Sequence, residues 1–169
     1  MARHDSNNAP SSDASLGFPK STAQIAGHPL HPMLITFPVT FFLSTLVLDL
    51  VFLATGGERW AEATVWVLGA GLVTALAAAA TGMTDYLGDD RVRRSKVANG
   101  HMIGNIFAVG IEAANWFLRL GGDAEDVIVP EGIALSAIAA AILGVTAWLG
   151  GSLVYKQRVG VSPPGSHPL

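Results

Sequence analysis

Gly27-His28-Pro29-Leu30-His31-Pro32-Met33-Leu34-Ile35-Thr36-Phe37-Pro38 is the stretch on which the reading of this chain turns. It joins a polar N-terminal segment to an apolar run that continues to Thr55 with Asp49 as its one charge. A helix needs about 20 predominantly apolar residues to cross a bilayer, so the run reads as a membrane helix. At its mouth stand two histidines, each followed by proline. Proline disfavours a helical conformation in the residue before it, which predicts extended backbone at His28 and His31. Pro32 suits the first turn of the helix, where its missing N–H is not needed. In a polyproline geometry the two imidazoles would project from one side, about 9 Å apart. That is too far for easy joint ligation of one metal without a bend, so a separate partner for each is the more natural reading.

Working outward, three more apolar runs follow, and the four predicted helices lie near 33–55, 61–87, 97–118 and 132–155. The joints, 56–60, 88–96 and 119–131, are short, which makes sequential helices antiparallel neighbours. The predicted fold is all-α, a membrane four-helix up-down bundle. Composition agrees. Only 14% of the 169 residues are charged and half are apolar, against about 25% charged in a typical soluble domain, and the mean hydropathy is +0.44. The absence of cysteine excludes disulfides, thiolate metal sites and cysteine-held iron–sulfur clusters. Nothing resembles a nucleic-acid footprint, because the basic residues flank the apolar runs and form no stripe. Residues 1–27 read as a disordered tail without the apolar stretch of a signal peptide. Residues 157–169 read as a second tail. His4 and His167 fall in these tails and receive little functional weight.

Lysine and arginine bias in short loops orients membrane helices. Arg3, Lys20, Arg91, Arg93, Arg94, Lys96, Lys156 and Arg158 fall on the side of the tails and the middle joint. Only Arg59 and Arg119 fall on the other, with acidic Asp123, Glu125 and Asp126. Eight against two puts both termini in the cytoplasm, for a multi-pass protein of a bacterial cytoplasmic membrane.

Polar residues within spans usually face the bundle interior and are functional candidates. The third helix carries His101, Asn105, Ala108, Glu112, Asn115 and Arg119 at steps of four and three, hence on one face. The first shows the same stepping from His31 through Pro38, Phe42 and Thr45 to Asp49. Thr74, Ala78, Thr81 and Asp85 share a face of the second. In an antiparallel bundle these fall into two layers, His28, His31, Asp85 and His101 near the cytoplasm, and Asp49, Glu112 and Asn115 near the far side. Asp85 could fix a histidine tautomer by accepting its second N–H, or pair with the basic 91–96 joint. Glu112 must be neutral, paired or reached by water. Helices 2 and 4 are rich in Ala and Gly, which permits close helix approach and would also make room for a flat cofactor. Pro38 should kink helix 1.

The Gly27-His28-Pro29-Leu30-His31-Pro32 motif ahead of four predicted helices resembles the bacterial membrane family named domain of unknown function 2231. Asp85 at the end of helix 2, Gly100-His101 and the closing Gly150-Gly151-Ser152-Leu153-Val154-Tyr155 agree with that resemblance over about residues 25–161. The resemblance implies a cytoplasmic-membrane protein without an established activity. Some relatives are fused to Rieske-type iron–sulfur domains, which implies a setting close to electron transfer. This chain lacks such a module, so a redox partner would be a separate protein.

The leading expectation is a small b-type haem protein of electron transfer, more a binding or electron-transfer protein than a stand-alone enzyme. Histidines are common axial haem ligands, and bundles hold cofactors between facing helices. His31 and His101 are the expected ligands, with His28 and Asp85 supporting them and Arg91, Arg93, Arg94 and Lys96 near the propionates. A second expectation is a non-haem site of His28, His31, His101 and Asp85 around zinc, iron or copper. A third is a proton-coupled channel or transporter using Glu112 and Asp49, although no internal repeat of the kind common in transporters is evident. A fourth is a structural membrane subunit, alone or as a homo-oligomer.

Overall fold

The computed structural model describes residues 17–161. Its frame is four long helices, built from α1 Leu30–Leu34 running into α2 Thr36–Thr55, then α3 Glu58–Gly88, α5 Lys96–Leu120 and α7 Ile133–Tyr155. Shorter elements connect them: α4 Asp90–Arg94, α6 Ala124–Val127 and a π-helical turn at Ile128–Gly132. The apolar runs form the helices, and local chemistry ends them. Gly56, at φ +63°, takes the left-handed position that closes α2 and donates to the Phe52 carbonyl at 2.7 Å, a conformation glycine adopts without a Cβ penalty. The Ser95 hydroxyl caps α5 by accepting from the Ala98 N–H, satisfying one of the donors a helix start leaves free. The helix that contains Pro38 is interrupted at Ile35, beside the Leu34 carbonyl that the proline leaves without a donor.

α2 packs most extensively on α3, and α5 on α7. The α2–α7 and α3–α5 contacts complete a square, with α2 and α5 on one diagonal and α3 and α7 on the other. Phe42, Leu68, Ala75, Ala108 and Leu143 form the apolar centre. The outside is equally apolar, with Trp66 80% exposed, Trp148 75% and Val73 69%, while Thr45, Asp49, Thr64, Glu112, Asn115, Arg119 and Ser136 stand fully buried within. Apolar groups outward and polar groups inward is the pattern of a protein solvated by lipid. This is an all-α membrane protein.

Three helical segments, Leu30–Thr55, Glu58–Gly88 and Ala124–Tyr155, are long and apolar enough to cross a membrane. Four such spans were expected. α5 is long enough at 25 residues, about 37 Å at 1.5 Å per residue, but its polar stripe lowers its apolarity. That stripe faces the bundle, and Ile106, Phe107 and Phe117 occupy its exposed side.

The N-terminal segment differs more. Residues 17–27, assigned by composition to a disordered tail, are folded, while residues 1–16 and 162–169, with His4 and His167, lie outside the described residues. β1 Gln24–Ile25 pairs antiparallel with β2 His28–Pro29. Ala26 and Gly27, both at positive φ, make the two-residue turn whose twist suits a hairpin. This strap docks because Asp85 Oδ1 accepts the Thr22 and Ala23 N–H groups at 2.7 and 2.8 Å and the Ser21 hydroxyl at 2.9 Å. The C-terminal turn meets it, Gly160 N–H donating to the Pro19 carbonyl and Arg158 lying over the Phe18 ring. His28 is extended as expected, but His31 is helical, second in α1. Pro32 then falls within the first turn, where no N–H is required, and the preference imposed on His31 is overridden.

The bundle also contains a repeat. The buried positions of α2 are Pro38, Phe42, Thr45 and Asp49, and those along α5 include Ala108, Glu112, Asn115 and Arg119. Each of the second set lies 70 residues after its counterpart (38 and 108, 42 and 112, 45 and 115, 49 and 119). On the return helices Thr64, Leu68, Gly71, Ala75 and Ala78 correspond at an interval of 68 to Gly132, Ser136, Ala139, Leu143 and Thr146. The hairpin α2–α3 is thus repeated as α5–α7 about an approximate twofold axis along the bundle.

Candidate functional site

Two polar layers lie along this axis. In the first, His31 from α1 and His101 from α5 approach each other, ring centres 6.2 Å apart and planes at 88°. The repeat supplies each with the same support. His31 Nδ1 lies 2.8 Å from the Ala78 carbonyl of α3, and His101 Nδ1 lies 2.8 Å from the Thr146 carbonyl of α7. A carbonyl only accepts, so both Nδ1 atoms carry a proton, and in that tautomer the lone pair of a neutral ring is on Nε2. One turn beyond each carbonyl is a glycine against the ring. A Cβ on Gly82 would stand 2.7 Å from His31 Cε1, and one on Gly150 would stand 3.0 Å from His101 Cε1. Any larger residue would displace the imidazole. Asn105 donates to the His101 carbonyl at 2.7 Å, and its Nδ2 stands 3.3 Å from His101 Nε2, while its Oδ1 accepts from Thr146.

His28 and Asp85 do not join the pair. His28 is exposed, its Nδ1 on the Ala26 carbonyl at 2.9 Å, and Asp85 is occupied by the strap. Among the described residues no three His, Asp or Glu side chains stand close enough to hold a metal, so the four-ligand non-haem arrangement is not formed. Nor are all the basic residues free for a propionate. Arg91 is bonded to Asp89 and to the Gly17 and Phe18 carbonyls, and Arg93 to Asp90. The Arg91 guanidinium holds the Asp89 carboxyl below the usual carboxylate range.

The second layer joins all four helices. Arg119 donates to both carboxylate oxygens of Asp49 at 2.7 and 2.9 Å, to the Thr64 hydroxyl at 2.6 Å and through Nε to Asn115 Oδ1 at 3.0 Å. Ser136 donates to Asp49 at 2.9 Å, and Asn115 Nδ2 donates to Ser136 Oγ at 3.0 Å. Asn115 also reaches Glu112 Oε2 at 3.3 Å. Asp49, Thr64, Glu112, Asn115 and Ser136 are wholly inaccessible, and Arg119 is 2% exposed. A planar guanidinium fits a carboxylate with two parallel bonds, and in this buried setting each charge is compensated only by the other.

Asp49, Glu112 and Asn115 therefore lie together, and Asn105 belongs to the histidine layer. Reading Arg119 as a loop charge missed the centre of the cluster, although its place on the i+3, i+4 stripe carried the signal. Thr64 and Ser136 were missed because a lone hydroxyl on an apolar helix more often bonds its own backbone.

A family described as predicted membrane protein (DUF2231) matches residues 27–163. The chain belongs to this family. The matched region of the DUF2231 chain runs from the second residue of the hairpin turn through His31, His101 and the whole buried cluster. No curated protein and no solved structure matches the chain.

Proposed function

We propose that this membrane protein binds haem b through His31 and His101 and works in electron transfer with a separate redox protein. The observation that carries this reading is the symmetric presentation of the two imidazoles. Each donates Nδ1–H to a carbonyl at 2.8 Å, the outer support that orients metal-ligating histidines and leaves Nε2 for the metal. The ring centres stand 6.2 Å apart, so His31 and His101 would be the two residues that hold one metal between them through Nε2. Two protein ligands, with no third carboxylate or histidine beside them among the described residues, suit a metal whose remaining nitrogens come from a macrocycle. They do not suit tetrahedral zinc, which takes three or four protein ligands. Gly82 and Gly150 make room for the two rings themselves, and Asn105 would turn away from His101 Nε2. Bound haem would supply a one-electron couple, and the chain would hold both ligands in one tautomer on the bundle axis.

The test is an absorption spectrum with metal analysis of protein purified from membranes. A Soret band with a sharp reduced α band is expected, lost in His31→Ala and in His101→Ala and unchanged in His28→Ala. A bare stoichiometric metal lost in the first two variants would replace haem with a two-coordinate ion such as copper. Binding of neither overturns the reading.

A further inference from the structure

The far layer contains one group that its surroundings do not balance. Glu112 has no accessible surface. Its Oε1 has no hydrogen-bond partner among the described residues, and its Oε2 accepts a single 3.3 Å bond from Asn115, which also serves Ser136 and the Gly132 carbonyl. We propose that Glu112 is a proton-binding site, a carboxylic acid held neutral inside the bundle at neutral pH that exchanges its proton with water.

A guanidinium is always ionised, and Arg119 directs both terminal nitrogens at Asp49 and its Nε at Asn115. Asp49 is therefore the anion that balances Arg119. The groups joined to the cluster from the other elements are Asp49 on α2, the Thr64 hydroxyl on α3, and Ser136 with the Gly132 carbonyl on the α7 side. None adds a cation. An ionised Glu112 would leave the layer one negative charge in excess, within a dry interior surrounded by lipid, where an uncompensated charge changes its protonation state instead. Packing does not demand an acid here either, because the repeat places Phe42 at the equivalent position. No strong acceptor would fix a proton on Oε1, so its exchange requires only that the bundle open to water.

This inference is independent of whether the histidines bind haem. It is tested by infrared spectroscopy of the full chain in lipid vesicles, in H2O and in D2O. A carbonyl stretch of protonated carboxylic acid is expected at neutral pH, absent in Glu112→Gln and shifted on exchange into D2O. If Glu112→Gln fails to assemble, 13C-glutamate labelling of the unmodified protein replaces it. Glu58, Glu62, Glu125 and Glu131 are all exposed, so a labelled acid band belongs to Glu112. No acid band sensitive to the variant or the label means that Glu112 is ionised, and overturns the proposal. A band that stays unshifted after prolonged exposure to D2O means a locked structural acid, and overturns it equally.

Discussion

Asp49→Asn is the sharpest probe of what holds the four helices together. The substitution keeps the volume and removes the charge. Arg119 would lose the carboxylate that takes two of its bonds, at 2.7 and 2.9 Å, and Ser136 would lose a charged acceptor at 2.9 Å. The guanidinium cannot neutralise itself and would keep only Thr64 and Asn115. Breaking a buried pair from one side costs about 3–5 kcal/mol, a large share of the roughly 5–15 kcal/mol that stabilises a typical protein. Removing both partners is a different matter. Asp49→Leu with Arg119→Met leaves no stranded charge, and such replacements are often neutral or stabilising. The exchange Asp49→Arg with Arg119→Asp rebuilds the pair across the twofold axis and should recover more than half of either single loss. Reversible unfolding in detergent, in a double-mutant cycle, measures all of these. A loss below about 1 kcal/mol for Asp49→Asn, or a double variant as unstable as the sum of the singles, would refute the reasoning.

Two further outcomes follow from the ends of the bundle. Reporter fusions after Ser95 and after Val161 should give a cytoplasmic signal, and one after Asp123 an external signal, because basic residues concentrate at the first two ends. The reverse pattern would place the histidine layer outside. Asp85→Ala should release the strap, since three donors lose one carboxylate oxygen. Amide exchange at Thr22 and Ala23 should then rise by more than tenfold, corresponding to at least about 1.4 kcal/mol, while α3 and α5 keep their protection. Unchanged exchange at both amides would show that the strap is held elsewhere.

The class and much of the interior were legible because they depend on local pattern. Apolar length announced the spans, and steps of three and four put Asp49, Glu112 and Asn115 on inward faces. What was not legible depends on partners distant in sequence. The 17–27 segment has a disordered composition, but the backbone N–H groups of Thr22 and Ala23 find Asp85 more than sixty residues away. Charge counting assigned Arg119 to a loop, whereas its side chain turns back to Asp49, 70 positions earlier. The histidine pair depends on the Ala78 and Thr146 carbonyls, and every residue has a carbonyl, so residue identity carries no signal of that bond.

The repeat escaped for a related reason, and its consequence reaches the site. His31 and His101 match in identity, as do Gly82 and Gly150, but Pro38 corresponds to Ala108, Phe42 to Glu112, Thr45 to Asn115 and Asp49 to Arg119, and the interval changes from 70 to 68 between helices. Identity is kept between the halves where both present the same imidazole to one central point. It differs where identity would be costly. Residues equivalent about a twofold axis meet their own kind across it, so a bundle of two identical hairpins would set Asp49 against a second aspartate, or Arg119 against a second arginine. Like charges buried together without solvent cannot both remain ionised. One chain that encodes both halves separately can place the anion in one and the cation in the other. The same freedom lets Glu112 replace the phenylalanine of its counterpart, so that an acid enters the interior once and not twice. Symmetry at the histidines and asymmetry at Asp49, Arg119 and Glu112 are thus consequences of one architecture, a duplicated hairpin whose halves differ where charge requires it.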